Sequence, residues 1–291
     1  MNRISETDLI LNPDGSVYHL NLLPEDIADT IITVGDPERV HEVSKYFDRI
    51  EVRKSKREFT THTGTIGNKR LTVMSTGIGT DNIDIVLNEL DALANINLEN
   101  RQIKEKPQTL NIVRIGTSGA VQADIAVDSL LVSSAAFGMD TLMHYYRDEQ
   151  GGEVQQLLND FKAALPPDCP FVPYVASADS LLIEKLATHL QQGITISAPG
   201  FYAPQGRKVR AELAYPGLMA SIQDFQSSGK RITNLEMETA GIYGMAAVLG
   251  HKAISFNVIL ANRVTQKFSV RPQEIIDTHI RFILERLIKL P

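Results

Sequence analysis

Short β-branched runs alternate along the chain with longer stretches whose apolar residues return every three or four positions. Thr30-Ile-Ile-Thr-Val-Gly35 is the first such run, and its closing glycine marks a buried strand. Pro37 then suits the first turn of a helix over residues 37–47. Thr60–Ile66 and Arg70–Ser75 flank Gly67-Asn68, a hairpin signal. In Asn82–Ala94, Ile83, Val86, Leu87, Leu90 and Leu93 share one face, which predicts an amphipathic helix. Strand signals recur at Leu110–Ile115, Ser129–Ser133, Val172–Ala176, Ile194–Ser197 and Ala253–Leu260. Helical spacing covers Glu153–Leu165, Ser180–Gln191, Gly217–Ser227, Glu238–Leu249 and Gln273–Lys289. This alternation predicts an α/β fold around a largely parallel sheet, made mixed by the 60–75 hairpin. Residues 95–109 are polar and read as a surface excursion, because strand signals resume at once. With no internal repeat, residues 1–291 are expected to form a single domain with an N-terminal arm over 1–16.

Composition narrows the chemistry. The hydrophobic fraction of 43% furnishes a full core, and the charged fraction of 22% argues against wholesale disorder. The formal net charge of -6 disfavours a nucleic-acid backbone as partner, so clustered Lys or Arg must act locally on a small anion. A single cysteine, Cys169, rules out an intrachain disulfide and a cysteine-based zinc cluster. The seven histidines show no HExxH-like pairing, so no metal is expected. Neither a leader nor an apolar run of membrane-spanning length is seen, so the expected location is the cytoplasm, without membrane association.

Four stretches place glycine, charge or both directly after expected strands, where α/β folds bind ligands. Gly35-Asp36-Pro37-Glu38-Arg39 combines close backbone approach, a helix start and an arginine, which suits an anion; the plainer reading is a strand–helix turn with a surface Arg39. Arg114 lies in the apolar run Ile112-Val113-Arg114-Ile115 and needs an anionic partner there. Either a buried Asp or Glu supplies it, or an oxyanion ligand does; the hydroxyls of Thr117 and Ser118, in an expected glycine–hydroxyl turn, favour the ligand. Ser75-Thr-Gly-Ile-Gly79 suits tight packing around a ligand, or a plain turn. Asn234-Leu-Glu-Met-Glu238 puts two carboxylates on one side of an extended segment, as a sugar diol requires; a helix start stabilising the glutamates is the alternative. Last comes the loop Phe201-Tyr-Ala-Pro-Gln205-Gly-Arg207. Gln205 offers a donor and an acceptor and Arg207 offers donors, a match for a uracil edge, with Phe201 to pack on a ring face.

Taken in order, Gly-Asp-Pro-Glu-Arg-Val, Arg57-Glu-Phe-Thr-Thr61, Ser-Thr-Gly-Ile-Gly, Arg-Ile-Gly-Thr-Ser-Gly and Glu-Met-Glu resemble the nucleoside phosphorylase family of the uridine phosphorylase type. The resemblance runs from about Val17 to the C-terminal helix. It implies a single-domain α/β fold with a mixed, partly barrel-like sheet, assembled as a homodimer or as a hexamer of dimers with shared sites. It implies phosphate at Gly35, Arg39, Arg114 and Thr117, with Arg57 arriving from the adjacent subunit. Met237 (backbone) and Glu238 would meet the ribose, and His19 of a neighbour its 5′-hydroxyl. Phe201, Gln205 and Arg207 would hold the base, the Gln–X–Arg spacing being the family's pyrimidine signature. Catalysis would fall to Arg114, Glu238 and Arg207, with phosphate as co-substrate and no cofactor. A potassium site is not implied, since Asn82 stands where bacterial members often carry serine. Purine-acting members carry an Asp shortly after the strand at 253–260, where this chain reads Leu260-Ala-Asn262-Arg263. The expected reaction is therefore phosphorolysis of uridine, with a purine nucleoside phosphorylase or a non-catalytic nucleoside-binding protein as alternatives.

Overall fold

A computed structural model describes residues 3–147 and 151–290; Met1 and Asn2 of the arm lie outside them. The chain runs β1 (Thr30–Val34), α1 (Pro37–Ser44), β2 (Arg49–Lys56), β3 (Phe59–Ile66), β4 (Lys69–Ser75) and α2 (Thr80–Asn95). A small hairpin, β5 (Ile96–Asn97) and β6 (Gln102–Ile103), fills the polar excursion. Then come β7 (Asn111–Ala120), β8 (Leu130–Gly138), α3 (Gly152–Ala164), β9 (Tyr174–Ser177), α4 (Ser180–Leu186) and β10 (Gln191–Ser197). The remainder is α5 (Leu218–Asp224), β11 (Gln226–Ser227), β12 (Lys230–Glu236), α6 (Thr239–Leu249), β13 (Lys252–Asn262), β14 (Lys267–Phe268) and α7 (Pro272–Leu287).

The main sheet has the order β11-β12-β10-β8-β13-β7-β1-β4-β3-β2. It is mixed, as expected: β1 lies parallel to β4 and β7, while β3 is antiparallel to β2 and β4. Its curvature comes from β7. Gly116 to Gly119 do not form the expected turn; they continue the strand, paired throughout with β13. The far end of β7 then pairs with β12, Leu235 against Gly119 and Asn234 against Ala120. That second pairing closes β7, β12, β10, β8 and β13 into a ring, and this is the barrel-like part of the sheet.

Helices cover the sheet because their apolar stripes need burial. Ile280, Ile283, Leu284 and Leu287 of α7 join Val40 and Val43 of α1 on one apolar cluster. Ile83, Val86, Leu87 and Leu90 of α2 pack with α6 in another. Helix α6 is apolar on all sides and correspondingly buried from Thr239 to Ala246.

Strand β2 and helices α4 and α5 also differ from the expectation, each for a physical reason. Strand β2 alternates exposed and half-buried residues at the sheet edge and is rich in charge, with only Ile50 and Val52 apolar, so it has no apolar run to announce it. Helical spacing over Ser180–Gln191 stops at Leu186, because Gln191 and Gln192 pair with Leu131 and Val132 of β8. The spacing over Gly217–Ser227 likewise ends at Asp224: Ser228 and Gly229, both with positive φ, turn β11 back onto β12.

Candidate active site

A cavity of 710 Å³ opens beyond the carboxyl ends of β1, β4, β7 and β12, the expected place for a ligand in such a sheet. Gly35, Arg39, Arg114, Thr117, Phe201, Gln205, Arg207, Met237 and Glu238 all line it. Nine positions spread over more than two hundred residues of chain thus converge on one space.

Arg114 is delivered by the middle of β7 and is 6% exposed. Its Nη2 lies 2.7 Å from Glu238 Oε2 and 2.9 Å from Glu236 Oε2, and its Nη1 donates to Asn257 Oδ1 at 3.2 Å. The ion-pair reading of this arginine is therefore realised. Both carboxylates raise the Arg114 guanidinium against the opposing effect of burial. Gly116 leaves room for that side chain: a Cβ there would lie 1.9 Å from Arg114 Nη1.

The two glutamates divide the roles considered for them. Glu236 ends β12 and caps α6, accepting the amides of Glu238 and Thr239 at 3.0 Å and the Ser197 hydroxyl at 2.5 Å. Its oxygens are committed to the fold. Glu238 accepts the Gly79 amide at 3.0 Å besides pairing with Arg114. Burial pushes the Glu238 carboxyl above its ordinary range; Arg114 opposes this and Glu236 adds to it. One guanidinium shared between two buried carboxylates leaves net negative charge, so the arginine stays charged while Glu238 holds a proton more readily.

Arg39 stands in the first turns of α1, which Asp36 caps by accepting the Glu38 amide at 2.9 Å. Burial lowers the Arg39 guanidinium from its usual range, with Asp36 opposing. No ion-pair partner lies within 4.0 Å of Arg39 among the described residues. It is a partly buried cation facing a cavity without a partner carboxylate, the arrangement an anionic ligand completes. Thr117 lines the same wall, whereas the Ser118 hydroxyl is taken by Asn234 Nδ2 at 3.0 Å.

On the loop, Arg207 lies 3.8 Å from the centre of the Phe201 ring. It donates to Gln205 Oε1 and to the Phe201 carbonyl, both at 2.6 Å. Arg263, not anticipated from the sequence, donates to the Gln205 carbonyl at 2.6 Å and fixes the loop from β13's end. Burial lowers the Arg207 guanidinium, and nearby Arg263 lowers it further. Leu260 and Ala261 of β13 and Phe268 of β14 add apolar wall without any sequence signal: an apolar residue within a strand does not show whether it faces the core or a cavity. Asn262 does not face the cavity. Its amide donates to the Gln122 and Ile125 carbonyls and accepts from Val264 and Thr265, so it is spent on holding the chain after β13.

Two expected residues, His19 and Arg57, do not line this cavity. Both neighbour Tyr18: its ring meets the His19 ring edge-on at 4.9 Å, and the Arg57 guanidinium lies 6.0 Å from its centre, while Glu58, next to Arg57, does line the cavity. Arg57 holds the β2–β3 turn at φ 55° and is exposed. Among the described residues no helix is long and apolar enough to cross a membrane, and no three His, Cys, Asp or Glu side chains converge as a metal site would.

Residues 29–281 match the family model described as the phosphorylase superfamily. The chain belongs to the phosphorylase superfamily. Among relatives, it is 30% identical over 267 residues to a uridine phosphorylase of Thermococcus kodakarensis, covering 88% of this chain and 80% of that protein. It is also 30% identical over 260 residues to a uridine phosphorylase of Escherichia coli, covering 86% and 88% of the two. Among solved structures, a Trypanosoma brucei nucleoside phosphorylase described as showing uridine phosphorylase activity superposes with a TM-score of 0.88. That match covers 97% of this chain and 100% of the other at 30% identity. Superfamily membership accounts for the mixed, partly closed sheet and for motifs dispersed so widely along the chain.

Proposed function

We propose that the chain catalyses the reversible phosphorolysis of uridine, giving uracil and ribose 1-phosphate. The observation that carries this is one cavity holding Arg39 and Arg114 together with the Gln205–Arg207 pair and Glu238. Phosphate is held by the Gly35 backbone, Arg39, Arg114 and Thr117, with Arg57 entering from a second copy of the chain. Glu238 and the Met237 backbone take the ribose hydroxyls, and His19 of the second copy takes the 5′-hydroxyl. Phe201 packs on the nucleoside, while Gln205 accepts from the uracil imide and Arg207 donates to a carbonyl.

The C1′–N1 bond breaks early, leaving a cationic sugar and an anionic base. Phosphate beneath C1′ stabilises the cation and captures it; Arg207 and Gln205 stabilise the departing uracil. The work is positioning and electrostatic stabilisation. Phosphate is the second substrate, and no cofactor takes part in these steps. The assembly is a homodimer or a hexamer of dimers, and its setting is the cytoplasm. A purine reading is disfavoured by Asn262, whose side chain is occupied within the fold.

The test is a panel of uridine, thymidine and inosine with phosphate, run on the wild-type chain and on Arg207→Ala. Uridine is expected to be preferred over inosine as the nucleoside substrate. Arg207→Ala should lower kcat/KM for uridine roughly ten- to a hundred-fold, the effect of one charged hydrogen bond of about 1.5–3 kcal/mol. Unchanged uridine turnover in Arg207→Ala and Gln205→Ala would overturn the base assignment.

A further inference from the structure

Glu89 is a buried carboxylate remote from the cavity lining, and its partners all belong to the N-terminal segment. It projects from α2, whose first residues pack beside the cavity. Its oxygens accept the His19 amide at 2.9 Å and 3.1 Å and the Leu20 amide at 2.8 Å. Oε1 also lies 2.6 Å from His19 Nδ1. Both oxygens already serve as acceptors of backbone hydrogens, so the ring contact is completed by a hydrogen on Nδ1. In the neutral ring this leaves a lone pair on Nε2. Nε2 makes no hydrogen bond among the described residues, and the His19 side chain is 27% exposed.

We propose that Glu89 is a positioning residue for the 5′-hydroxyl of the nucleoside: it fixes the orientation and tautomer of His19, so that Nε2 is presented as an acceptor to a second copy's site. The proposal rests on the reading of His19 as a ribose contact. The geometry goes further than docking the arm, which the two backbone amides alone would achieve. The third contact singles out one ring nitrogen and leaves the other without a hydrogen bond among the described residues. Glu89 thereby links the N-terminal segment to the helix that borders the same subunit's cavity.

The test compares uridine with 5′-deoxyuridine in the wild type, His19→Ala, Glu89→Gln and the double variant. The ratio of the two kcat/KM values is independent of the fraction of folded enzyme, so partial misfolding does not blur it. Wild type should prefer uridine, and His19→Ala should lose the preference. Glu89→Gln should lower the ratio by about three- to ten-fold, the worth of one hydrogen bond, and the double variant no further than His19→Ala. No preference in the wild type, or a preference that survives His19→Ala, overturns the reading of His19. A preference lost in His19→Ala but kept in Glu89→Gln, or equal losses on both substrates, overturns the role of Glu89 while leaving His19 in place. Should Glu89→Gln fail to fold, the imidazole nitrogen shifts of labelled wild-type protein decide. At alkaline pH the His19 ring, assigned by its loss in His19→Ala, should carry its hydrogen on Nδ1, and a hydrogen on Nε2 would overturn the proposal.

Discussion

Arg114→Ala is expected to abolish uridine turnover and to loosen the fold at the same time. The guanidinium is the shared partner of Glu236 and Glu238, all three being nearly excluded from water. Removing it strands two carboxylates, a change of the kind that costs about 3–5 kcal/mol. Arg39→Ala is the informative contrast. Arg39 has no carboxylate partner within ion-pair distance among the described residues, so its loss should raise the KM for phosphate with little change in urea unfolding. Stability of Arg114→Ala within 1 kcal/mol of wild type, on the ~1 kcal/mol scale of an ordinary substitution, would show that the triad does not hold the site together.

Mixing two inactive variants should restore activity. Arg57 is not among the residues lining the cavity that Glu238 lines, although its neighbour Glu58 is, and its guanidinium lies 6.0 Å from the Tyr18 ring centre. If it completes a neighbour's site, a mixed dimer of Arg57→Ala and Glu238→Ala has one site with both lesions and one with neither. Equal amounts give about half mixed dimers under random exchange with two-fold symmetry, so activity should return to about a quarter of wild type per site. If each site is built from one chain, every site keeps one lesion and nothing returns. Absence of recovery, with exchange confirmed by tagged subunits, would remove Arg57 from the phosphate set and weaken the case for His19.

Much of the framework was legible because buried parallel strands and amphipathic helices write their burial into the residue pattern. Thr30–Val34 and the α2 stripe are such cases. Strand β12 carries no strand signal in the sequence, because Thr233, Asn234 and Glu236 are polar yet buried, their hydrogen bonds met by β7, β10 and α6. The glycines of β7 suggest a turn in the sequence for a related reason: Gly116 is small to make room for the Arg114 side chain, not to end the strand. In the site, residues that act by charge were foreseeable, since Arg114 in an apolar run demands a partner. Its partner set was not: local pattern cannot tell that Glu236 would cap α6 while Glu238 turned to the cavity. Arg263 and Phe268 belong to the site only through tertiary contact, and nothing in their neighbours along the chain marks them.

Phosphate dependence tests the central claim most directly. Purified protein is incubated with uridine, with and without phosphate, and both sugar products are measured. Uridine should be consumed only when phosphate is supplied, with ribose 1-phosphate and uracil formed in equal amounts. Free ribose released at the same rate without phosphate would contradict the account and make the protein a hydrolase.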